Sequence, residues 1–124
     1  MARLMIVDDE RDVREFAANF FRKRNIDVIT ASSGEEALSL LGQQKADLIL
    51  LDIKMAGING IETLKRIKGL DKDIKVIMVT GKRPDEESAF EECRRNGALD
   101  YVHKPLKLDE LEKTVLGALS QSKK

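Results

Sequence analysis

The chain has 124 residues, 42% hydrophobic and 35% charged, so it is long enough for one globular domain and too apolar to be disordered. Its 22 basic and 22 acidic residues balance, which gives no indication of nucleic-acid binding. The single cysteine, Cys93, excludes an internal disulfide, and no apolar run is long enough for a signal peptide or a membrane span, so we expect a cytoplasmic protein without a membrane partner.

Apolar runs of strand character alternate with helical patterns along the chain. The predicted strands are 3–7, 26–30, 47–52, 73–80 and 99–103. The predicted helices are 12–24, 33–41, 60–68, 84–97 and 108–119. Five β-α units of this kind predict an α/β domain with a parallel sheet, right-handed crossovers and helices on both faces. We expect the domain to span 1–120, with 121–124 as a frayed tail.

Several local signals support these elements. Asn25 is suited to a left-handed stop after the first helix, and Ser33 with Glu36 forms a capping-box pattern before the second. The first helix is predicted to turn one apolar face inward, formed by Val13, Phe16, Ala17, Phe20 and Phe21. The last helix is predicted to do the same with Leu108, Leu111, Val115 and Leu119.

Polar residues follow four of the apolar runs. Asp8 and Asp9 come after "LMIV", Asp52 ends "LILLD", Thr80 ends "VIMVT", and Lys104 comes after the last strand. The carboxyl ends of parallel strands lie side by side and form the ligand crevice. Three crowded carboxylates repel one another unless a cation lies between them, and a hard ion such as Mg²⁺ suits an all-oxygen site. A hydroxyl and an ammonium group at the same edge suit a phosphoryl group.

Each of these residues also has a plainer interpretation. Asp8 and Asp9 can form a strand-end turn that caps the first helix, and Asp52 can be an ordinary loop residue. Thr80 and Lys104 are uninformative one at a time. It is their joint occurrence at successive strand ends that favours metal-assisted phosphoryl chemistry on a carboxylate.

Four motifs in order resemble the receiver domain of two-component response regulators. They are "IVDDE" at 6–10, "LILLDIKMAGINGIE" at 48–62, "VIMVTG" at 76–81 and "GALDYVHKPL" at 97–106. The resemblance covers 3–119. It implies a flavodoxin-like, doubly wound three-layer sandwich with a five-stranded parallel sheet of order 2-1-3-4-5, flanked by five helices, whose crevice lies between the first and third strands.

The resemblance also implies roles for individual residues. Asp52 is expected to be the phosphoacceptor, with Thr80 and Lys104 at the phosphoryl oxygens. Mg²⁺ is expected at Asp8, Asp9, Asp52 and the backbone carbonyl of Lys54. Thr80 and Tyr101 are expected to form the switch pair, with a plain packing role as the alternative for Tyr101. The bond between Lys104 and Pro105 is expected to be cis.

Three other functions compete with a phosphorylation switch. An aspartyl-phosphate hydrolase resembles this pattern but carries a second acid two residues past its nucleophile, where this chain has Lys54. A flavodoxin-like cofactor module needs a Ser/Thr/Gly-rich phosphate loop after the first strand, where this chain has Asp8, Asp9 and Glu10. A phosphorylation-independent docking scaffold does not need the intact acidic, threonine and lysine set.

The expected partners follow from the resemblance. A sensor histidine kinase or phosphotransfer protein would supply the phosphoryl group. The output would be a downstream effector protein or an output domain missing from this sequence, with no nucleic acid contacted by this domain. A phosphorylation-dependent dimer through the fourth helix, fifth strand and last helix is a further expectation.

Overall fold

The structure is a computed structural model that describes residues 2–53, 59–80, 87–104 and 106–120, and the side chains of these except 87–90. The predictions for the Lys54 carbonyl, the first residues of the fourth helix at 84–86, the Pro105 bond and the tail at 121–124 therefore lie outside the described residues.

Five strands form one parallel sheet and five helices cover it. The strands are β1 (Arg3–Val7), β2 (Asp27–Ala31), β3 (Leu48–Asp52), β4 (Lys75–Thr80) and β5 (Asp100–His103). The helices are α1 (Arg11–Arg22), α2 (Gly34–Leu41), α3 (Gly60–Leu70), α4 (Glu87–Arg95) and α5 (Leu108–Ser120). The strand order is β2-β1-β3-β4-β5, and each neighbouring pair is parallel, which confirms the predicted fold class. None of the described helices is both long and apolar enough to span a lipid bilayer.

The core has two layers because alternate strand residues point to opposite faces of the sheet. On one face, residues such as Met5, Ile49 and Met78 pack with apolar residues of α2, α3 and α4. On the other face, residues such as Leu50 and Ile77 pack with α1 and α5. All five residues of β3 are buried, as its nearly continuous apolar sequence predicts for a central parallel strand.

Element ends agree with the sequence to within one or two residues in most cases. Asn25 has a φ of 64°, which confirms the predicted left-handed stop. Ser33 accepts a hydrogen bond from the Glu36 amide as predicted, but the Glu36 carboxylate accepts from the amide and hydroxyl of Ser32 instead of closing a box on Ser33. β4 begins later than predicted because Asp71 makes a turn in which its carboxylate accepts from the Asp73 amide.

The predicted apolar face of α1 is wrong at Phe16, whose side chain is 55% exposed. The helix instead turns Ala17, Ala18 and Phe21 to the sheet. Small residues at the centre of the contact bring α1 close to β1 and β2. Phe16 lies one residue outside the buried group, on the flank that faces water.

Candidate functional site

Asp8 and Asp52 lie side by side at the carboxyl end of the sheet. Val7 is paired with Leu51 across β1 and β3, so Asp8 and Asp52 directly follow one register pair. Both are only 3% exposed. Side chains alternate along a strand, so Asp8 and Asp52 lie on the same face of the sheet as Ile6 and Leu50, the face that α1 and α5 cover. The order reversal between β1 and β3 is where ligands bind in doubly wound sheets.

Asp9 completes a cluster of three carboxylates with Asp8 and Asp52. One carboxylate oxygen of each lies within 4.8 Å of those of the other two. Two oxygens bound to one Mg²⁺ at about 2.1 Å lie at most about 4.2 Å apart, which is close to the 4.8 Å within which these oxygens lie. Carboxylate oxygens are hard donors that fit Mg²⁺, and the structure brings the predicted donors Asp8, Asp9 and Asp52 together, the first and last buried and Asp9 exposed.

Backbone contacts fix the position of Asp8. Its carboxylate accepts a 2.9 Å hydrogen bond from the Glu10 amide, and its own amide donates to the Ala31 carbonyl at 3.1 Å. Arg14, one turn into α1, donates from its guanidinium to the Asp8 carbonyl at 2.8 Å. These bonds orient one carboxylate oxygen toward the backbone and leave the other directed to the crevice.

Lys104 brings a cation to the buried acids. Its ammonium nitrogen lies 3.1 Å from Asp52 Oδ2, 3.4 Å from Asp8 Oδ2 and 3.1 Å from Glu10 Oε1. Burial alone lowers the pKa of Lys104, but the hydrogen bond to Glu10 and the charges of Asp52 and Asp8 outweigh it, so the pKa lies above its ordinary value. The side chain therefore stays positively charged at physiological pH.

Thr80 ends β4 and is fully buried. Its carbonyl accepts a 2.7 Å hydrogen bond from the Lys104 amide, which ties the ends of β4 and β5 together. Alternation along β4 places the Thr80 side chain on the same face of the sheet as Met78. Tyr101 pairs with Met78 in the sheet and is partly buried against the core on that face. Its ring meets the His103 ring edge to face at 5.6 Å between centroids.

Gly60 is needed for the close approach of α3 to the phosphoacceptor candidate. A β-carbon at this position would lie 2.3 Å from the Asp52 carbonyl oxygen and 2.6 Å from the Ile53 α-carbon. The Gly60 amide donates to the Ile53 carbonyl at 2.8 Å. The start of α3 is thus held directly against the backbone that carries Asp52.

The described structure brings four of the predicted site residues together, namely Asp8, Asp9, Asp52 and Lys104, and it places Thr80 at the neighbouring strand end. Sequence reasoning missed the roles of two further residues. The Glu10 contact with Lys104 joins residues 94 positions apart, and its one signal was adjacency to Asp8 and Asp9. The Gly60 contact had only the weak signal of a glycine-rich turn before a helix.

Comparisons with known proteins agree on one family. The family model of the response regulator receiver domain matches residues 4–116. Sporulation initiation phosphotransferase F of Bacillus subtilis is 35% identical over 113 residues, which are 91% of this chain and 90% of that protein. Response regulator SaeR of Staphylococcus aureus is 36% identical over all 124 residues, which span 53% of its length.

Solved structures give the same result. The NtrX protein of Brucella abortus in complex with ATP superimposes with a TM-score of 0.90 at 31% identity, over 98% of this chain and 28% of that one. A CheY-like receiver domain protein of Methanospirillum hungatei gives a TM-score of 0.90 at 28% identity, over 98% of this chain and 96% of that one. Together with the acidic cluster and lysine at the β1–β3 crevice, these matches establish that the chain belongs to the receiver domain family of two-component response regulators.

Proposed function

We propose that Asp52 accepts a phosphoryl group from the phosphohistidine of a sensor histidine kinase or phosphotransfer protein. A carboxylate oxygen of Asp52 forms the bond to phosphorus while the phosphorus–nitrogen bond breaks, and its electron pair stays on the donor imidazole. The observation that carries this proposal is the contact between the Lys104 ammonium and the buried Asp52 carboxylate at 3.1 Å, beside two further acids.

The other site residues position and neutralise charge. Phosphoryl transfer spreads negative charge over the equatorial oxygens, so the protein has to supply positive charge and orientation more than acid–base chemistry. In this proposal Lys104 and the Thr80 hydroxyl contact those oxygens. Mg²⁺, held by Asp8, Asp9, Asp52 and the Lys54 carbonyl, would screen the repulsion between the carboxylate and the incoming phosphoryl group.

The proposal includes a switch at the surface made of α4, β5 and α5, which we call the α4–β5–α5 surface. Thr80 and Tyr101 lie on the same side of the sheet, on neighbouring strands. Movement of Thr80 toward a phosphoryl group would open space for the Tyr101 ring to turn inward. Leu99, which directly precedes β5, is 44% exposed at the edge of this surface, which supports a role in contacts with a partner or a second copy.

The place of the domain in signalling is part of the same proposal. The likeness to sporulation initiation phosphotransferase F favours a phosphorelay. The chain spans about half the length of SaeR. This favours a role in which the domain passes its signal to an output domain or to an effector protein. We propose a cytoplasmic signalling switch rather than an enzyme with a separate substrate. This domain would contact neither nucleic acid nor membrane.

Intact-mass analysis tests the proposal. After incubation with acetyl phosphate and Mg²⁺, the wild-type protein is expected to gain one phosphoryl mass, and Asp52→Asn is expected to gain none because the attacking oxygen is gone. Omission of Mg²⁺ is the matched control and is expected to suppress labelling. Full labelling of Asp52→Asn would show that another residue is the acceptor.

A further inference from the structure

Glu10 lies beside the acidic cluster without belonging to it. It occupies the N-cap position of α1, yet its side chain makes no capping hydrogen bond there. Its carboxylate accepts a 3.1 Å hydrogen bond from the Lys104 ammonium instead. The Glu10 side chain is 63% exposed, whereas those of Asp8 and Asp52 are 5% exposed, so Glu10 stands at the mouth of the crevice.

The Lys104 ammonium and a bound cation would compete for the same oxygens. Lys104 contacts Oδ2 of Asp8 and Oδ2 of Asp52, and both residues belong to the cluster suited to Mg²⁺. A divalent ion held by that cluster would repel the ammonium group and would use the same carboxylate oxygens. The carboxylate of Glu10 is not one of the three converging groups, so the contact between Lys104 and Glu10 is compatible with an ion in the cluster.

We propose that Glu10 is a positioning residue that holds the Lys104 ammonium at the mouth of the crevice, so that Mg²⁺ can take the oxygens of Asp8 and Asp52 while the ammonium stays within reach of an incoming phosphoryl group. This inference rests on the proposed function. Without Glu10, the ammonium has only the metal ligands as partners among its described contacts, and metal binding must displace it.

The contribution is modest because Glu10 is exposed to water. Water and salt screen an ion pair at such a site, and both side chains lose conformational freedom when it forms. We therefore expect only a few-fold effect on Mg²⁺ affinity. The test therefore needs a control that removes the same charge nearby. Asp12 lies in the first turn of α1, is exposed and stands outside the contacts of Lys104, so Asp12→Asn is the matched variant.

The first measurement needs no metal. The Lys104 ammonium protons of the wild-type protein are expected to exchange slowly enough for detection by ¹⁵N-resolved NMR at low temperature and mildly acidic pH. Glu10→Gln is expected to broaden or shift this signal strongly, and Asp12→Asn is expected to leave it unchanged. A signal that does not respond to Glu10→Gln would overturn the inference, whatever the protein does with Mg²⁺.

The second measurement is Mg²⁺ affinity in a double-mutant cycle with Lys104. Glu10→Gln is expected to weaken Mg²⁺ binding about threefold, and Asp12→Asn less. In a Lys104→Met background the two substitutions are expected to have equal effects. An undiminished Glu10→Gln effect there would show that Glu10 acts on the ion directly, which overturns this inference alone. A wild-type protein that bound no Mg²⁺ would overturn the metal part of the proposed function as well.

Discussion

Asp8 and Asp52 are buried side by side, and two neighbouring carboxylates taken out of water are costly unless a cation compensates them. Lys104 provides that compensation, and its aliphatic stem reaches the crevice from the end of β5. The ammonium group is compact and can be shared among several acceptors. An arginine at this position would present a wider planar fork, so it would not reproduce the arrangement.

Cys93 gives a prediction at the residue scale that is independent of the site. Burial raises the pKa of its thiol to about 11, and the charge of Glu92 adds to the shift. Because the thiolate is the reactive form, we expect iodoacetamide at pH 8 to modify the native protein very slowly and the denaturant-unfolded protein quickly. Equal rates in the two states would contradict the burial of Cys93.

The same shift predicts how stability depends on pH. The pKa of the thiol is higher in the folded protein than in the unfolded chain, so the unfolded state releases its proton first as pH rises. This stabilising contribution is complete below about pH 9 and is lost as pH rises toward 11. Urea unfolding of wild type and Cys93→Ala at pH 8 and 10.5 measures it, and the wild type is expected to lose more stability across that interval.

At the element scale, the N-terminus of α3 positions the Asp52 backbone. Gly60→Ala would force a methyl group against the backbone of Asp52 and Ile53. We expect it to cost about 2 kcal/mol or more of unfolding free energy and to slow phosphorylation. Gly69→Ala is the control in the same helix, where a β-carbon meets nothing within 4 Å, and it is expected to stabilise by about 0.5–1 kcal/mol. Equal effects of the two variants in chemical unfolding would contradict the close approach.

The periodicity of the sequence predicted which elements exist, and their order came from the family resemblance. Patterns of 2 and 3.6 residues report which face of a strand or helix is apolar, and this sufficed for all five strands. The prediction was wrong at Phe16 because periodicity locates the apolar face of a helix only to within about one residue. In the structure the buried face includes the small Ala18 and leaves Phe16 exposed. Element ends shifted where side chains form turns, as at Asp71.

The sequence predicted those residues of the candidate site that are polar and stand at the end of a predicted strand. Asp8, Asp9, Asp52 and Lys104 each follow an apolar run, so sheet topology alone brings them together. The link between Glu10 and Lys104 is a contact between a helix cap and a distant strand end, which no local pattern encodes. The Gly60 contact depends on how closely the start of α3 approaches the backbone of Asp52 and Ile53. The sequence does not indicate this distance.

At the scale of the whole molecule, metal binding is expected to stabilise the fold. The three carboxylates come from two separate strand ends and converge only in the native state, so an ion bound there favours that state by mass action. We expect millimolar Mg²⁺ to raise the melting temperature of the metal-free protein. Asp9→Ala is expected to abolish most of this rise, and an unchanged rise would show that the ion binds elsewhere.

The proposed coupling between the site and the α4–β5–α5 surface involves the whole domain. Beryllofluoride with Mg²⁺, standing in for the phosphoryl group, is expected to shift backbone NMR signals across α4 and β5 as well as at the crevice. Thr80→Ala and Tyr101→Ala are expected to keep the shifts at the crevice and to lose those in α4 and β5. The first removes the hydroxyl that would respond to the phosphoryl group, and the second removes the ring that would turn inward. Shifts confined to the crevice in the wild-type protein would refute the switch.

Chemical mapping of the modified residue shows whether Asp52 carries the phosphoryl group. Borohydride reduces an acyl phosphate to an alcohol, so it converts a phosphorylated aspartate into homoserine. After labelling with acetyl phosphate and Mg²⁺, reduction and proteolysis, we expect homoserine at position 52. Homoserine at position 8 or 9, or phosphate retained on a serine, threonine or histidine peptide, would show that Asp52 is not the phosphoacceptor.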